Sequence, residues 1–124
     1  MKLLLDTHVV LWWLQNAPLR VEADEAIREP RNDVVVSAAS AWEIGIKTAL
    51  GKLRIPHDLN DLLASERLTP MPVTIAHGLA AGTLPPIHTD PFDRLLVAQA
   101  QLEQLTIVTR DERLRDYGVP IIAA

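Results

Sequence analysis

The apolar positions of the chain form short continuous runs, which alternate with longer segments where apolar residues recur every three or four positions. A short run that ends at a polar residue predicts a buried strand, and the longer spacing predicts a helix. The predicted strands are residues 2–5, 34–36, 71–73, 106–109 and 119–122. The predicted helices are residues 7–14, 18–28, 38–50, 58–68, 75–84 and 91–104.

This order of strands and helices predicts an α/β fold, with a central parallel sheet of about four to five strands and helices on both faces. A length of 124 residues fits one domain over residues 1–124, because it allows one hydrophobic core but not two. The sequence contains no repeats, linkers or low-complexity segments.

The composition predicts a cytoplasmic protein that makes no contact with a membrane. The chain has no cysteine, which excludes a disulfide scaffold and thiol catalysis and fits a reducing compartment. Residues 1–5 look like the start of a signal peptide, but Asp6 and His8 interrupt the apolar run too early. No apolar run reaches the ~18 residues needed to span a bilayer.

The charge balance limits the classes of nucleic-acid-binding protein that the chain can belong to. With 12 Lys and Arg against 16 Asp and Glu, the net charge is −4. Proteins that bind nucleic acid usually present a basic surface, so the charge argues against a simple binding module. A divalent cation held by clustered acids inverts the local field, so the charge does not argue against a metal-dependent nuclease.

Four acidic residues from distant segments are expected at one edge of the sheet. Asp6 closes the first predicted strand and Asp111 follows the strand at 106–109. Glu43 and Asp93 lie near the starts of helices that right-handed crossovers bring to the same edge. Clustered carboxylates repel one another unless a cation compensates, and Mg²⁺ or Mn²⁺ prefers such oxygen ligands. The four acids therefore predict a metal site that can activate water against a phosphodiester.

Each of these acids also has a purely structural interpretation. Asp6 could cap the predicted helix at 7–14, and Asp111 could cap a short helix over 112–115. Glu43 could pair with Lys47, which lies four residues later on the same predicted helix. Asp93 could be a first-turn acid of its helix.

Four blocks of sequence carry these acids and their neighbours. They are Leu3–His8 (LLLDTH), Ser37–Lys47 (SAASAWEIGIK), His88–Ala100 (HTDPFDRLLVAQA) and Ile107–Asp111 (IVTRD). In order and in spacing, the blocks resemble the PIN-domain family, and within it the VapC-type toxins of bacterial toxin–antitoxin pairs. The resemblance covers essentially the whole chain.

The resemblance implies a PIN-like three-layer α/β/α sandwich and an endoribonuclease that depends on Mg²⁺ or Mn²⁺. It also implies three partners, namely an RNA substrate, a cognate antitoxin protein and a second copy of the chain in a homodimer. It assigns the catalytic and metal-binding positions to Asp6, Glu43, Asp93 and Asp111. Thr109, close before the fourth acid, matches a polar residue of the family that could orient a water or a carboxylate.

Asp90 competes with Asp93 for the third acidic position. The resemblance favours Asp93, because the third acid of the family directly precedes an apolar helical segment. Asp90 then fits the N-cap of that helix, with Pro91 at its first position.

The sequence leaves the roles of several basic residues open. His8 and His88 are candidates for metal ligands or acid–base groups, although a lone histidine near a loop is more often structural. Lys47 is a candidate for binding substrate phosphate, with a solvated position as the alternative. Arg94 is a candidate for neutralising the acids or binding the RNA backbone.

Trp12 and Trp13 cannot both face the core from one helix. We expect one of them to be exposed beside Val9 and Val10 and to contribute to a protein–protein surface. Core packing is the alternative interpretation.

Two other functions are weighed against the nuclease. A haloacid-dehalogenase-like phosphatase also places Asp after the first strand, but it needs a second acid two residues later, where this chain has His8. A catalytically inactive PIN-like module that binds RNA or a protein partner is the other alternative. The complete set of four acids argues against it.

Overall fold

The computed structural model describes residues 1–55 and 58–124, and a five-stranded parallel sheet forms its centre. The strands are β1 (Lys2–Leu5), β2 (Asp33–Ser37), β3 (Thr69–Met71), β4 (Thr106–Thr109) and β5 (Ile121–Ala123). Their order in space is β3-β2-β1-β4-β5, and every neighbouring pair is parallel. The predicted α/β class with a parallel sheet of about four to five strands is confirmed.

Helices connect the strands. They are α1 (Thr7–Leu14), α2 (Val21–Arg28), α3 (Ala38–Ala49), α4 (Leu59–Ser65), α5 (Ile75–Thr83), α6 (Pro91–Glu103) and a 3₁₀-helix (Glu112–Tyr117). Across residues 1–55 and 58–124, none of the helices has the length and apolar character needed to cross a membrane.

The hydrophobic core lies on both faces of the sheet, as the alternation of side chains along β1 shows. Leu3 and Leu5 pack into a cluster with residues of α1, α2 and α4, whereas Leu4 packs into a second cluster with residues of α6 and the 3₁₀-helix. All three leucines are fully buried. Because successive strand residues point to opposite faces, this pattern makes a three-layer α/β/α arrangement.

Two helices are shorter than their apolar pattern predicts. The helix predicted at 18–28 begins at Val21, because Arg20 has an extended backbone with ψ of 148°. The helix predicted at 58–68 ends at Ser65, because the backbone of Arg67 turns into the left-handed region with φ of 57°. The first prediction starts from Pro18, which suits the first turn of a helix.

Two strands are displaced from their predicted positions, β3 by two residues and β5 by two residues at its start and one at its end. The run 71–73 contains Pro72, and the observed strand β3 comes before it. The run 119–122 contains Pro120, and β5 starts after it. Proline has no N–H to give to the sheet and is tolerated on edge strands, and β3, an edge strand, includes Pro70 paired with Val36. Val119 is buried in the core although it lies outside β5.

The strand order places a crevice at the carboxyl ends of β1 and β4. The connections leave β1 towards β2 on one side, and the chain later returns to β4 on the other side. Leu5 is paired with Val108, and the N–H of Asp6 donates to the carbonyl of Val108 at 3.1 Å. Open α/β sheets bind ligands at this kind of switch point.

Candidate functional site

Asp6 lies at the end of β1, at the mouth of the crevice, and is almost completely buried. Its Oδ1 accepts from the main-chain N–H groups of His8 at 2.8 Å and Val9 at 3.3 Å, so Asp6 is the N-cap of α1. Its Oδ2 accepts from the Thr109 hydroxyl at 2.5 Å. The capping interpretation is therefore correct, and it leaves the same carboxylate at the switch point of the sheet.

Thr109, the last residue of β4, connects two of the candidate acids. Its hydroxyl donates to Asp6 and accepts from the main-chain N–H of Asp111 at 3.0 Å. The side chain is fully buried. The predicted role of Thr109 in orienting a carboxylate matches this geometry.

Asp111 caps the 3₁₀-helix and is held by two basic side chains. Arg113 donates to both carboxylate oxygens, at 2.9 Å from Nε and 2.9 Å from Nη2. His88 Nε2 lies 2.8 Å from Asp111 Oδ2. Hydrogen bonds from the Arg113 guanidinium, and then from His88, hold the pKa of the Asp111 carboxyl well below its usual range.

Asp93, in the first turn of α6, completes a compact group of ligand atoms. Its Oδ2 lies 3.4 Å from His88 Nε2. Within the described part of the chain, His88, Asp93 and Asp111 form the one group of at least three His, Asp or Glu side chains whose ligand atoms all lie within 4.8 Å of one another. All three side chains are partly buried.

The carboxyl of Asp93 shows how strongly negative charge is concentrated here. Burial, followed by the negative charges of Asp90 and Asp6, raises the pKa of Asp93 from 3.8 to about 7. Asp111 raises it further, and only His88 acts in the opposite direction. A site that makes ionisation of a carboxyl this unfavourable is short of positive charge, which a divalent cation supplies. The carboxylates of Asp93 and Asp111 therefore fit a hard divalent metal ion.

Glu43 lies on α3, outside the compact group of His88, Asp93 and Asp111. Its Oε2 is 3.3 Å from Lys47 Nζ, which is the ion pair that the sequence offered as an alternative. Helix α3 packs on α6 next to the site, because the ring of Trp42 meets the ring of Phe92 edge-on at 5.2 Å. Glu43 and Asp93 directly follow these two aromatic residues.

Asp90 caps α6, as predicted. Its Oδ1 accepts from the N–H of Phe92 at 2.8 Å, and Pro91 occupies the first position of the helix. Its charge still acts on Asp93 from a distance.

Arg94 bonds main-chain carbonyl oxygens and forms no ion pair with an acid among the described residues, so of its two candidate roles the neutralising one was wrong. Its guanidinium donates at 2.9 Å to the carbonyl oxygens of Ala81, Leu84 and Pro85, at the end of α5. His8 is exposed, and its ring lies 5.8 Å from that of Trp12.

Trp12 and Trp13 are both half-buried, which contradicts the expectation that one of them is exposed. An arginine covers each ring, with Arg110 at 3.8 Å from Trp12 and Arg28 at 4.7 Å from Trp13. The exposed tryptophan is Trp42, at 66%. Trp42, Ile46 and Leu50 are all exposed and recur every four residues. This spacing puts them on one face of α3, which is the signal for an exposed apolar face that sequence reasoning missed.

Residues 3–120 match the model of the PIN domain family. The chain belongs to the PIN domain family. Ribonuclease VapC22 of Mycobacterium tuberculosis (strain ATCC 25618 / H37Rv) is 30% identical to it over 125 aligned residues, which cover 94% of this chain and 92% of the relative. The resemblance drawn from the four sequence blocks is therefore confirmed, and the phosphatase alternative is not supported.

Solved structures with the same fold cover nearly all of this PIN domain. A chain of VapBC2 from Rickettsia felis, bound to a promoter DNA fragment, gives a TM-score of 0.75 at 15% identity and covers 99% of this chain and 98% of that chain. A chain of VapBC-1 from nontypeable Haemophilus influenzae gives 0.73 at 17% identity, with the same coverage. At these identities the likeness establishes the fold.

Proposed function

We propose that this PIN domain is a VapC-type endoribonuclease that depends on a divalent metal ion and acts as the toxin of a toxin–antitoxin pair. The observation that carries the proposal is that Asp93 and Asp111 meet at the end of the sheet where ligands bind, each with an oxygen within 3.4 Å of His88 Nε2. Burial, and after it the charges of Asp90 and Asp6, raises the pKa of Asp93 there. The ribonuclease named as a relative over 94% of this chain supports the same reaction.

The metal-binding and catalytic residues of the proposal are Asp6, Glu43, Asp93 and Asp111. When bound, Mg²⁺ or Mn²⁺ would supply an activated water and stabilise the charge that develops on the phosphodiester. The chain itself orients the ligands, since Thr109 fixes one oxygen of Asp6 and the neighbours of Asp111 fix both of its oxygens. Two observations support including Glu43. It lies on α3, and it belongs to the block Ser37–Lys47, which resembles the PIN-domain family.

The proposed partners are an RNA substrate, a cognate antitoxin and a second copy of the chain, and such a substrate fits a cytoplasmic location. The solved VapBC structures share the fold of this chain. Large apolar side chains exposed on α3 and on α5 support a protein interface, because contiguous exposed apolar surface marks such sites. They include Trp42, Leu50, Ile75 and Leu79. Sedimentation velocity on the purified chain tests the homodimer directly.

The test of the nuclease is cleavage of RNA by purified protein in Mg²⁺ or Mn²⁺, with EDTA as the control. The variant Asp93→Asn should lose cleavage, whereas Asp116→Asn, which changes an exposed acid on the 3₁₀-helix, should keep it. Cleavage that persists in EDTA or in Asp93→Asn would refute the proposed site. An inactive binding module would instead bind RNA or a partner without cutting RNA under any of these conditions.

A further inference from the structure

His88 lies between two acids of the candidate site, Asp93 and Asp111. Its Nε2 lies 2.8 Å from Asp111 Oδ2 and 3.4 Å from Asp93 Oδ2. The main-chain N–H of His88 donates to the Tyr117 hydroxyl at 2.8 Å. Because Asp111 caps the 3₁₀-helix and Tyr117 is its last residue, His88 is attached to both ends of that helix.

The hydrogen bonds of the ring determine where its proton resides. The main-chain N–H of Asp90 donates to His88 Nδ1 at 3.1 Å, so Nδ1 is an acceptor and carries no proton. A neutral imidazole has one N–H, which must then be on Nε2. The nearest partner of Nε2 is an oxygen of Asp111, and an ionised carboxylate can only accept.

The neighbouring arginine is consistent with this assignment. Arg113 Nη2 comes within 3.1 Å of His88 Nε2, but it donates to Asp111 Oδ2 at 2.9 Å. Both side chains therefore donate to the same carboxylate. The two differ in exposure, with 9% for the side chain of His88 and 70% for that of Arg113. Water screens the exposed partner much more than the buried one.

From these contacts, and resting on the proposed function, we propose that His88 is a positioning residue that orients Asp111 for the metal through Nε2–H and is not itself a metal ligand. A nitrogen that carries a proton has no lone pair for an ion. Hydrogen bonds behind a ligand of this kind fix its orientation, and their removal typically weakens metal binding by about 10- to 100-fold.

Two substitutions of His88 separate a donor from a ligand. His88→Gln places an amide N–H near the position of Nε2, so it keeps a donor for Asp111. His88→Asn keeps a polar group near Nδ1 but does not reach Asp111. His8→Asn changes an exposed histidine outside the group and serves as the matched control.

The measurement is the affinity for Mn²⁺, followed by electron paramagnetic resonance of the free ion. We expect His88→Asn to bind Mn²⁺ at least about tenfold more weakly, and His88→Gln and His8→Asn to bind close to wild type. Equal losses in His88→Gln and His88→Asn would identify His88 as a ligand and overturn the proposal. Wild-type affinity in His88→Asn would overturn it as well.

The ring itself gives a second readout that does not depend on a variant. Nitrogen-15 NMR of the histidine rings should show the Nε2–H tautomer of His88 in the metal-free protein and in the presence of Mg²⁺. A proton on Nδ1, or loss of the Nε2 proton when Mg²⁺ is added, would overturn the proposal. Wild-type protein that binds no Mn²⁺ would overturn the proposed function too, whereas a failure confined to His88 leaves that function standing.

Discussion

The hydroxyl of Thr109 donates a 2.5 Å hydrogen bond to Oδ2 of Asp6, a residue 103 positions away in the sequence. The same hydroxyl accepts from the N–H of Asp111. One buried side chain at the end of β4 thus joins the candidate acid of β1 to the candidate acid that precedes the 3₁₀-helix. A neutral group placed between two acids fixes their orientation without adding charge.

Replacing Thr109 by valine keeps the shape of the side chain and removes this connection. Thr109→Val leaves an oxygen of Asp6 and the N–H of Asp111 without their partner, which should lower the free energy of unfolding by about 1–3 kcal/mol. It should also weaken Mn²⁺ binding. Thr109→Ser keeps the hydroxyl and should retain that affinity. Urea unfolding and Mn²⁺ titration check both effects, and a Thr109→Val protein with wild-type Mn²⁺ affinity would contradict the orienting role.

Asp6 combines a structural and a proposed catalytic role, and two substitutions should separate them. Asp6→Asn keeps an oxygen that can cap α1, so it should remain folded while losing RNA cleavage. Asp6→Ala also removes the cap and should be about 1 kcal/mol less stable than Asp6→Asn. Thermal unfolding measured beside a cleavage assay tests both statements. Full activity in Asp6→Asn would remove Asp6 from the site.

Much of the fold could be predicted from the sequence, because buried parallel strands and helices leave different spacings of apolar residues. The helix at 7–14 and the strands at 2–5 and 106–109 have their predicted bounds. The errors fall where backbone geometry overrides hydrophobicity. The backbone of Arg67 turns into the left-handed region and ends the helix early. The apolar run at 119–122 contains Pro120, and β5 begins only at Ile121.

The candidate site was less predictable, because its contacts depend on distant residues. The position of the Asp6 carboxylate directly after β1 could be predicted from residues 2–6 alone. The role of His88 depends on Asp111, which is 23 residues later, and on Tyr117, which is 29 residues later. Arg94 is next to Asp93 in the sequence, which suggested an ion pair between them. In the structure the side chain of Arg94 instead donates to main-chain carbonyl oxygens such as that of Ala81.

Arg94 should therefore matter for stability and not for binding RNA. Its guanidinium donates to four carbonyl oxygens, three of them at 2.9 Å, a geometry that the single ammonium of lysine cannot reproduce. Arg94→Lys should lower the free energy of unfolding by about 1–3 kcal/mol. Arg115→Lys, which affects only an exposed 3.8 Å ion pair with Glu112, should change it little. A weaker dependence of RNA binding on salt in Arg94→Lys would indicate phosphate contact after all.

The raised pKa of Asp93 makes the stability of the metal-free protein depend on pH. Since this pKa is about 7 in the folded chain and near 3.9 in an unfolded one, the folded protein binds the proton more tightly. Between about pH 4 and pH 7 the contribution of Asp93 to stability is accordingly lost as the pH rises. At pH 8 the ionised Asp93 should cost the folded state about 2–4 kcal/mol, because one pKa unit corresponds to about 1.4 kcal/mol.

Asp93→Asn removes this cost, so in EDTA it should be more stable than wild type at pH 8, with the difference shrinking towards pH 4. Mg²⁺ should reduce the difference by stabilising the wild type, which alone keeps the carboxylate that the ion requires. Chemical unfolding at both pH values, with and without Mg²⁺, measures this difference in the free energy of unfolding. Asp116→Asn provides the control for the loss of one negative charge. A variant that is no more stable than wild type at pH 8 in EDTA would mean that the acids around Asp93 are already compensated without a cation, and the case for a metal at this end of the sheet would lose its main physical support.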